Sequence, residues 1–233
     1  NFLPEKYIPV FFDLQGRTHT TLDRFLWWLA REIIREVKQK VDITLQPAEK
    51  DAFSADPDYF ETHFFSDLKQ EIGDHIILLT FDEFDNLEES EVKEELAVPL
   101  IDYLRRLMEQ PEINFIFSIG SSGRKLENMQ AAYTEFFKTA LYKKISFLTR
   151  EQCEKLVRQP VEGILQIDES VTGRIFDITS GHPYFTQLCC HELFSLCQRT
   201  GQLTISHSDV DSILDDVVER GTVNLKFVWD EAS

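Results

Sequence analysis

The sequence predicts an α/β fold, a parallel sheet followed by a small all-helical domain, and three observations carry that reading. Short apolar runs at 7–12, 76–81, 114–119 and 143–147 alternate with helical stripes over the first two thirds of the chain. The run Ile76-Ile77-Leu78-Leu79-Thr80-Phe81 ends abruptly in Asp82, Glu83 and Asp85, as a buried parallel strand does at the crevice beyond its carboxyl end. Past Thr149 the strands stop and only helical periodicity remains, which argues for a separate bundle.

Taken in order, Tyr7–Phe12 reads as a strand, and Pro9 places it at a sheet edge because proline has no N–H to donate. Residues 13–16 turn the chain. From Thr21 to about Lys40, Leu22, Phe25, Leu26, Leu29, Ile33, Ile34 and Val37 form a helical stripe. Trp27 and Trp28 adjoin it. A further helix is expected over 57–72, ahead of the strand at 76–81. Residues 88–95 form a charge run suited to a solvated face. Pro99 fits the first turn of a helix that runs to Gln110. The next strand ends in Gly120-Ser121-Ser122-Gly123-Arg124, and the run 143–147 reads as a fourth. Thr149 and Gln152 have the spacing of a capping box, so a helix starts there. Helices follow at about 150–160, 170–179, 183–199 and 207–220, with Gly181 and Gly201 at stops and Pro183 at a start.

Composition excludes several function classes. The chain has 233 residues, and 24 Lys and Arg against 41 Asp and Glu give a net charge of −17. Phosphate backbones demand a basic face, so direct nucleic-acid binding and adhesion to an anionic membrane are not expected. Hydrophobic residues make up 42%, including 19 Phe, enough for a large core. No apolar run reaches the roughly 20 residues of a membrane span. Cys153, Cys189, Cys190 and Cys197 fit neither a zinc spacing nor a disulfide framework and read as buried thiols of a cytoplasmic protein. His191-Glu192 lacks the second histidine of a zinc-protease helix.

The acids after the second strand carry the chemistry. One carboxylate at such a strand end holds Mg²⁺ through water, and its neighbour polarises an attacking water. An acidic turn exposed to solvent is the plainer alternative. In order, Phe-Phe-Asp-Leu-Gln-Gly at 11–16, the strand ending in Asp82-Glu83, the strand ending in Ser-Ile-Gly-Ser-Ser-Gly-Arg, the linker Ile-Ser-Phe-Leu-Thr-Arg-Glu-Gln and Gly181-His182-Pro183 resemble the AAA+ class of P-loop ATPases. More narrowly, they resemble the bacterial STAND-type signalling ATPases. The resemblance spans most of the chain and implies a sheet of P-loop NTPase (AAA+) type over 1–148, a helical lid over 149–221 and a connection beginning at 222–233.

The same resemblance implies roles. Asp82 would hold the Mg²⁺ shell and Glu83 would orient or deprotonate the lytic water. Asp85 would support them or cap the following turn. Ser121 or Ser122 would report on the γ-phosphate, unless this is an ordinary Gly-Ser turn. Arg124 would stabilise transferred phosphate or form an exposed salt bridge. In Gly181-His182-Pro183 the proline would lie against adenine and His182 would reach a phosphate, at a helix start that also favours anions. Alternatively, the glycine ends one helix and the proline starts the next.

The pattern also departs from the family. No GxxxxGK[ST] occurs, and the one Lys-Thr pair, Lys138-Thr139, has no glycine nearby. The resemblance implies that the first strand and phosphate loop precede Asn1, and that residues from Val218 to Asp230 approach a winged-helix domain. In the family's strand order, 5-1-4-3-2, the missing strand is central. Its absence predicts that the fourth and fifth strands pair directly, that a partner fills the gap, or that residues are omitted. The function expected is an ATP-binding module using ATP and Mg²⁺, inactive alone, with protein partners or self-association. The alternative is a non-catalytic interaction scaffold on a degenerate P-loop fold. Asp82-Glu83-Phe84-Asp85 also fits a DExD-box helicase, but an acidic helical tail stands where a second basic domain belongs.

Overall fold

The computed structural model describes residues 5–46, 49–56, 58–88, 93–120, 134–138 and 140–232. It divides into two compact units, Asn1–Leu141 and Tyr142–Ser233. The first unit is built on strands β1 (Tyr7–Asp13), β2 (Ile76–Asp82) and β3 (Ile113–Phe117), parallel and in that order across the sheet. Pro9 lies in edge strand β1, as its missing donor requires.

The register stacks side chains in layers. Ile8 pairs with Ile77 and Ile113, Val10 with Leu79 and Phe115, and Phe12 with Phe81 and Phe117. These residues share one face because paired positions of neighbouring strands point the same way. Against that core lie helices α1 (Leu22–Val37), α2 (Lys50–Ala55), α3 (Ser66–Ile72) and α4 (Val98–Leu107). The stripe foreseen in α1 is buried from Phe25 to Val37. A π-helical turn, Phe60–Phe65, enters α3 and buries Phe60, Phe64 and Phe65. Aromatic rings dominate the core near the strand ends: Phe12 and Phe25 lie 5.1 Å apart, Phe84 and Phe117 4.6 Å.

Two expectations are corrected. The strand at 76–81 was expected to be buried on both faces, but β2 alternates: Ile77, Leu79 and Phe81 are sealed while Ile76, Leu78 and Thr80 are partly open. The same open face carries Phe11, 56% exposed, and Ile116, 48% exposed. Residues 143–147 form no strand; Ile145 is 91% exposed and the segment has no regular structure. Among the described residues β3 pairs only with β2, so direct pairing of the fourth and fifth strands does not occur. Among the described residues no strand pairs with 143–147, so they join no ladder.

After a short helix α5 (Thr134–Phe137), the second unit holds α6 (Arg150–Arg158), α7 (Glu169–Thr179), α8 (Pro183–Thr200), α9 (His207–Ser212) and α10 (Leu214–Ala232). The capping box at the start of α6 is present: Gln152 N–H donates to Thr149 Oγ1 at 3.3 Å and Thr149 N–H to Gln152 Oε1 at 2.9 Å. A two-residue parallel ladder, β4 (Gln166–Ile167) with β5 (Thr204–Ile205), pins the connections. Helix α10 runs through Gly221 rather than stopping at 220. The bundle core comprises Cys153, Val157, Val171, Ile175, Cys189 and their neighbours. Glu192 is almost wholly buried and pairs with His191 at 3.0 Å and Arg220 at 3.1 Å.

All four cysteines are free. Burial pushes the Cys189 thiol up to about 11 and the Cys190 thiol to about 12. At pH 8 a thiol-specific disulfide reagent should therefore react with these two far more slowly in the folded protein than after denaturation; fast folded-state labelling would contradict this packing.

Candidate functional site

Strand β2 delivers the acids. Its last residue, Asp82, lies opposite Asp13 in the register, so two carboxylates stand side by side at the carboxyl ends of adjacent parallel strands. Asp13 was read in the sequence only as a turn residue. The signal that could have found it is its place directly after an apolar run, like that of Asp82. Like charges directly opposite on a sheet repel, so a cation is favoured there. Asp82 Oδ1 accepts the Glu83 N–H at 3.1 Å, and Asp13 Oδ1 accepts the Gln15 N–H at 2.8 Å. Mg²⁺ takes one or two carboxylates and fills its octahedron with water and phosphate oxygens. Asp82, half-buried with its second oxygen outside these hydrogen bonds, fits that role. Among the described residues no group of three or more His, Cys, Asp or Glu forms an all-protein metal cage.

Glu83 has a φ of 54°, in the left-handed region. A residue with a Cβ pays about 1 kcal/mol or more to stay there. The turn is held from both sides: Asn86 N–H donates to Glu83 O at 3.0 Å, and Phe84 N–H to Ser118 O at 2.9 Å. Phe84 itself is sealed in the aromatic core, which anchors the turn while the Glu83 side chain is exposed.

Asp85 goes the other way. It is only 3% exposed, and its Oδ1 accepts the Gly120 N–H at 2.8 Å. The bond ties the turn after β2 to the residue that leads out of the segment following β3. A Cβ on Gly120 would meet Asp85 Oδ2 at 3.1 Å, so glycine allows the approach. Ser121, Ser122 and Arg124 lie outside the described residues.

In the second unit, Gly181 is the joint between α7 and α8. Ser180 caps α7 in the left-handed region, and Gly181 follows at φ 73°. The Leu148 N–H donates to Gly181 O at 2.7 Å, and a Cβ on Gly181 would stand 2.2 Å from Leu148 O. His182 is the N-cap of α8 and Pro183 its first residue, so the helix-punctuation reading describes their geometry directly. The His182 ring is flanked by Phe147 at 5.0 Å and Phe185 at 4.7 Å, and its buried Nδ1 makes no hydrogen bond. Asp82, Glu83 and Asp85 are thus gathered in the first unit, and Gly181, His182 and Pro183 in the second.

No family model matches the chain, and neither does any curated protein. Among solved structures the chain is similar to the ORC2 protein of Aeropyrum pernix, solved as ADPNP–ADP complexes, with a TM-score of 0.59 and 14% identity over 90% of this chain and 52% of that one. This chain therefore spans about half the length of that protein. The likeness is one of fold, and it supports an α/β architecture. No helix among the described residues is long and apolar enough to cross a membrane.

The geometry separates strain from clamp. Glu83→Gly should keep or raise stability by about 1 kcal/mol, because glycine accepts the left-handed turn. Asp85→Ala should lose about 1–3 kcal/mol by removing the charged acceptor of the Gly120 N–H. Urea unfolding of both variants checks the pair. Gly181→Ala, with its Cβ driven into a backbone carbonyl, should destabilise the second unit by more than about 2 kcal/mol, read as a lowered melting temperature.

Proposed function

We propose that the chain is an ATP-binding module of the STAND-like AAA+ kind, whose strand-end acids serve Mg²⁺-dependent ATP hydrolysis when a phosphate loop is in place. The observation that carries this reading is the pair Asp82 and Glu83 at the carboxyl end of the middle strand, the second held in a strained turn with its side chain exposed. Backbone strain of this kind concentrates at working sites. The ORC2 neighbour's nucleotide complexes support the same reading.

Mg²⁺, when bound, would offset charge on the β- and γ-phosphates. Asp82 would hold its hydration shell, with Asp13 adding to the local negative field. The Glu83 carboxylate would accept the proton of the attacking water. Asp85, bonded to Gly120, would act as a positioning residue; of Ser121 and Ser122 one would contact the γ-phosphate, and Arg124 would balance developing charge. In the second unit, Gly181, His182 and Pro183 would form the lid contact, with Pro183 on the adenine and His182 toward phosphate. Nucleotide state would then set the lid's position because one state binds the γ-phosphate better than the other.

The 233 residues contain no GxxxxGK[ST], so alone they should bind ATP weakly and turn it over negligibly. Among the described residues β3 is paired on one side only, and a strand carrying such a loop would join the sheet on the other. The reading includes a cytoplasmic setting, protein partners or self-association, and no direct contact with nucleic acid or membrane. A second reading, a non-catalytic scaffold on a P-loop fold, is favoured by the same missing loop and by the apolar residues Phe11 and Ile116 on the open sheet face.

The test is Mg²⁺–ATP calorimetry and phosphate release on the natural polypeptide that carries these residues, beside its Glu83→Gln variant. Tight binding by both, with turnover reduced at least about 100-fold in the variant, is the expected result. No binding by either would leave the scaffold.

A further inference from the structure

A cavity of about 290 Å³ opens beside the first turn of α1, lined by Thr18, His19, Thr20, Arg24, Lys50 and Glu95, with Thr21 completing the wall. It contains none of Asp82, Glu83 or Asp85, so it is separate from the acids at the end of β2. Its charge runs against the rest of the molecule. In a chain of net charge −17, this small space brings together Arg24 and Lys50, and neither belongs to any of the ion pairs within the described structure. The Arg24 guanidinium is held 4.8 Å from the Trp28 ring centroid, which fixes its position in advance. Lys50 is the first residue of α2 and is exposed.

The hydroxyl of Thr20 is the second, independent observation. Thr20 is 9% exposed, and its Oγ1 is buried with no hydrogen-bond partner. An unmade buried hydrogen bond costs about 1–3 kcal/mol, and native structures rarely tolerate one without a reason. Thr20 lines the cavity, and on turning about its Cα–Cβ bond this hydroxyl would meet an oxyanion oxygen there. The neighbouring carboxylate is already committed elsewhere: hydrogen bonds from Ser54 and Thr21, with the first-turn amides, hold Asp23 below its usual range. The site is made of side chains.

Two cations and a donor hydroxyl call for a dianion. Glu95 would repel a bare anion but accepts a hydrogen bond from a ligand hydroxyl. We infer that this cavity binds a small hydroxylated phosphate monoester, its phosphate on Arg24, Lys50 and Thr20 and its hydroxyl toward Glu95. A ligand of a few carbons fits the volume, and binding would occupy a place distinct from the proposed nucleotide site.

The test is calorimetric titration of the 233-residue chain at low salt, where such contacts are least screened, with glycerol 3-phosphate and with inorganic phosphate. Saturable binding is expected, tighter for the ester. Lys50→Gln and Arg24→Gln should each weaken it about tenfold or more, while Lys155→Gln, which removes a surface charge of the other unit, should leave it unchanged. Lys50 is exposed at a helix start, so its variant keeps the fold, as circular dichroism would verify. Absence of saturable binding by the unmodified chain, equal losses in all three variants, or affinity untouched by Lys50→Gln and Arg24→Gln would each overturn the inference.

Discussion

The parallel pairing of β2 with strands on both sides is the constraint on which the first unit depends. A parallel ladder leaves each strand's amides and carbonyls satisfied only when neighbours hold register. Here the register aligns Val10, Leu79 and Phe115 in one layer and Phe12, Phe81 and Phe117 in the next. A slip by one residue would turn these side chains to the open face and bring Thr80 and Leu78 inward. The same register puts Asp13 beside Asp82 and brings Glu83 just past the strand end. Core packing and acid placement thus have one cause.

The turn after β2 shows how packing fixes the placement of its acids. Phe84 and Asp85 are both buried, one in the aromatic cluster and one on the Gly120 amide. With both flanks fixed, Glu83 has no freedom to relax out of its left-handed conformation. Two acids separated by one residue consequently have opposite characters: Glu83 is exposed and strained, whereas Asp85 is enclosed and bonded to the backbone. Their spacing in the sequence is silent on that difference, because it arises from the turn.

Much of this was legible beforehand. Local rules located the α6 capping box, the proline start of α8, the edge position of Pro9 and the apolar stripe of α1, since each depends on neighbours within a few residues. What failed depended on distant partners. Residues 143–147 have strand composition, yet a strand exists only beside another strand, and here Phe147 packs at a tilt against His182 while the Leu148 N–H donates to Gly181 O. The half-open face of β2 was missed because a continuous apolar run looks the same whether one or both of its faces are covered. The pairing of Asp13 with Asp82, 69 positions apart, is likewise a matter of register. The buried Glu192, set in a sequence that invited a metal reading, is an ion-pair partner of Arg220 inside the bundle.

The central claim is that the end of β2 is a cation and phosphate site. Its most direct test is paramagnetic broadening of backbone amide signals by Mn²⁺–ADP, a stand-in for Mg²⁺ that bleaches nearby resonances. The account predicts that broadening begins at residues 82–85 and Asp13 and is lost in Asp82→Asn. Broadening spread evenly over the acidic surface, and unchanged in that variant, would contradict it.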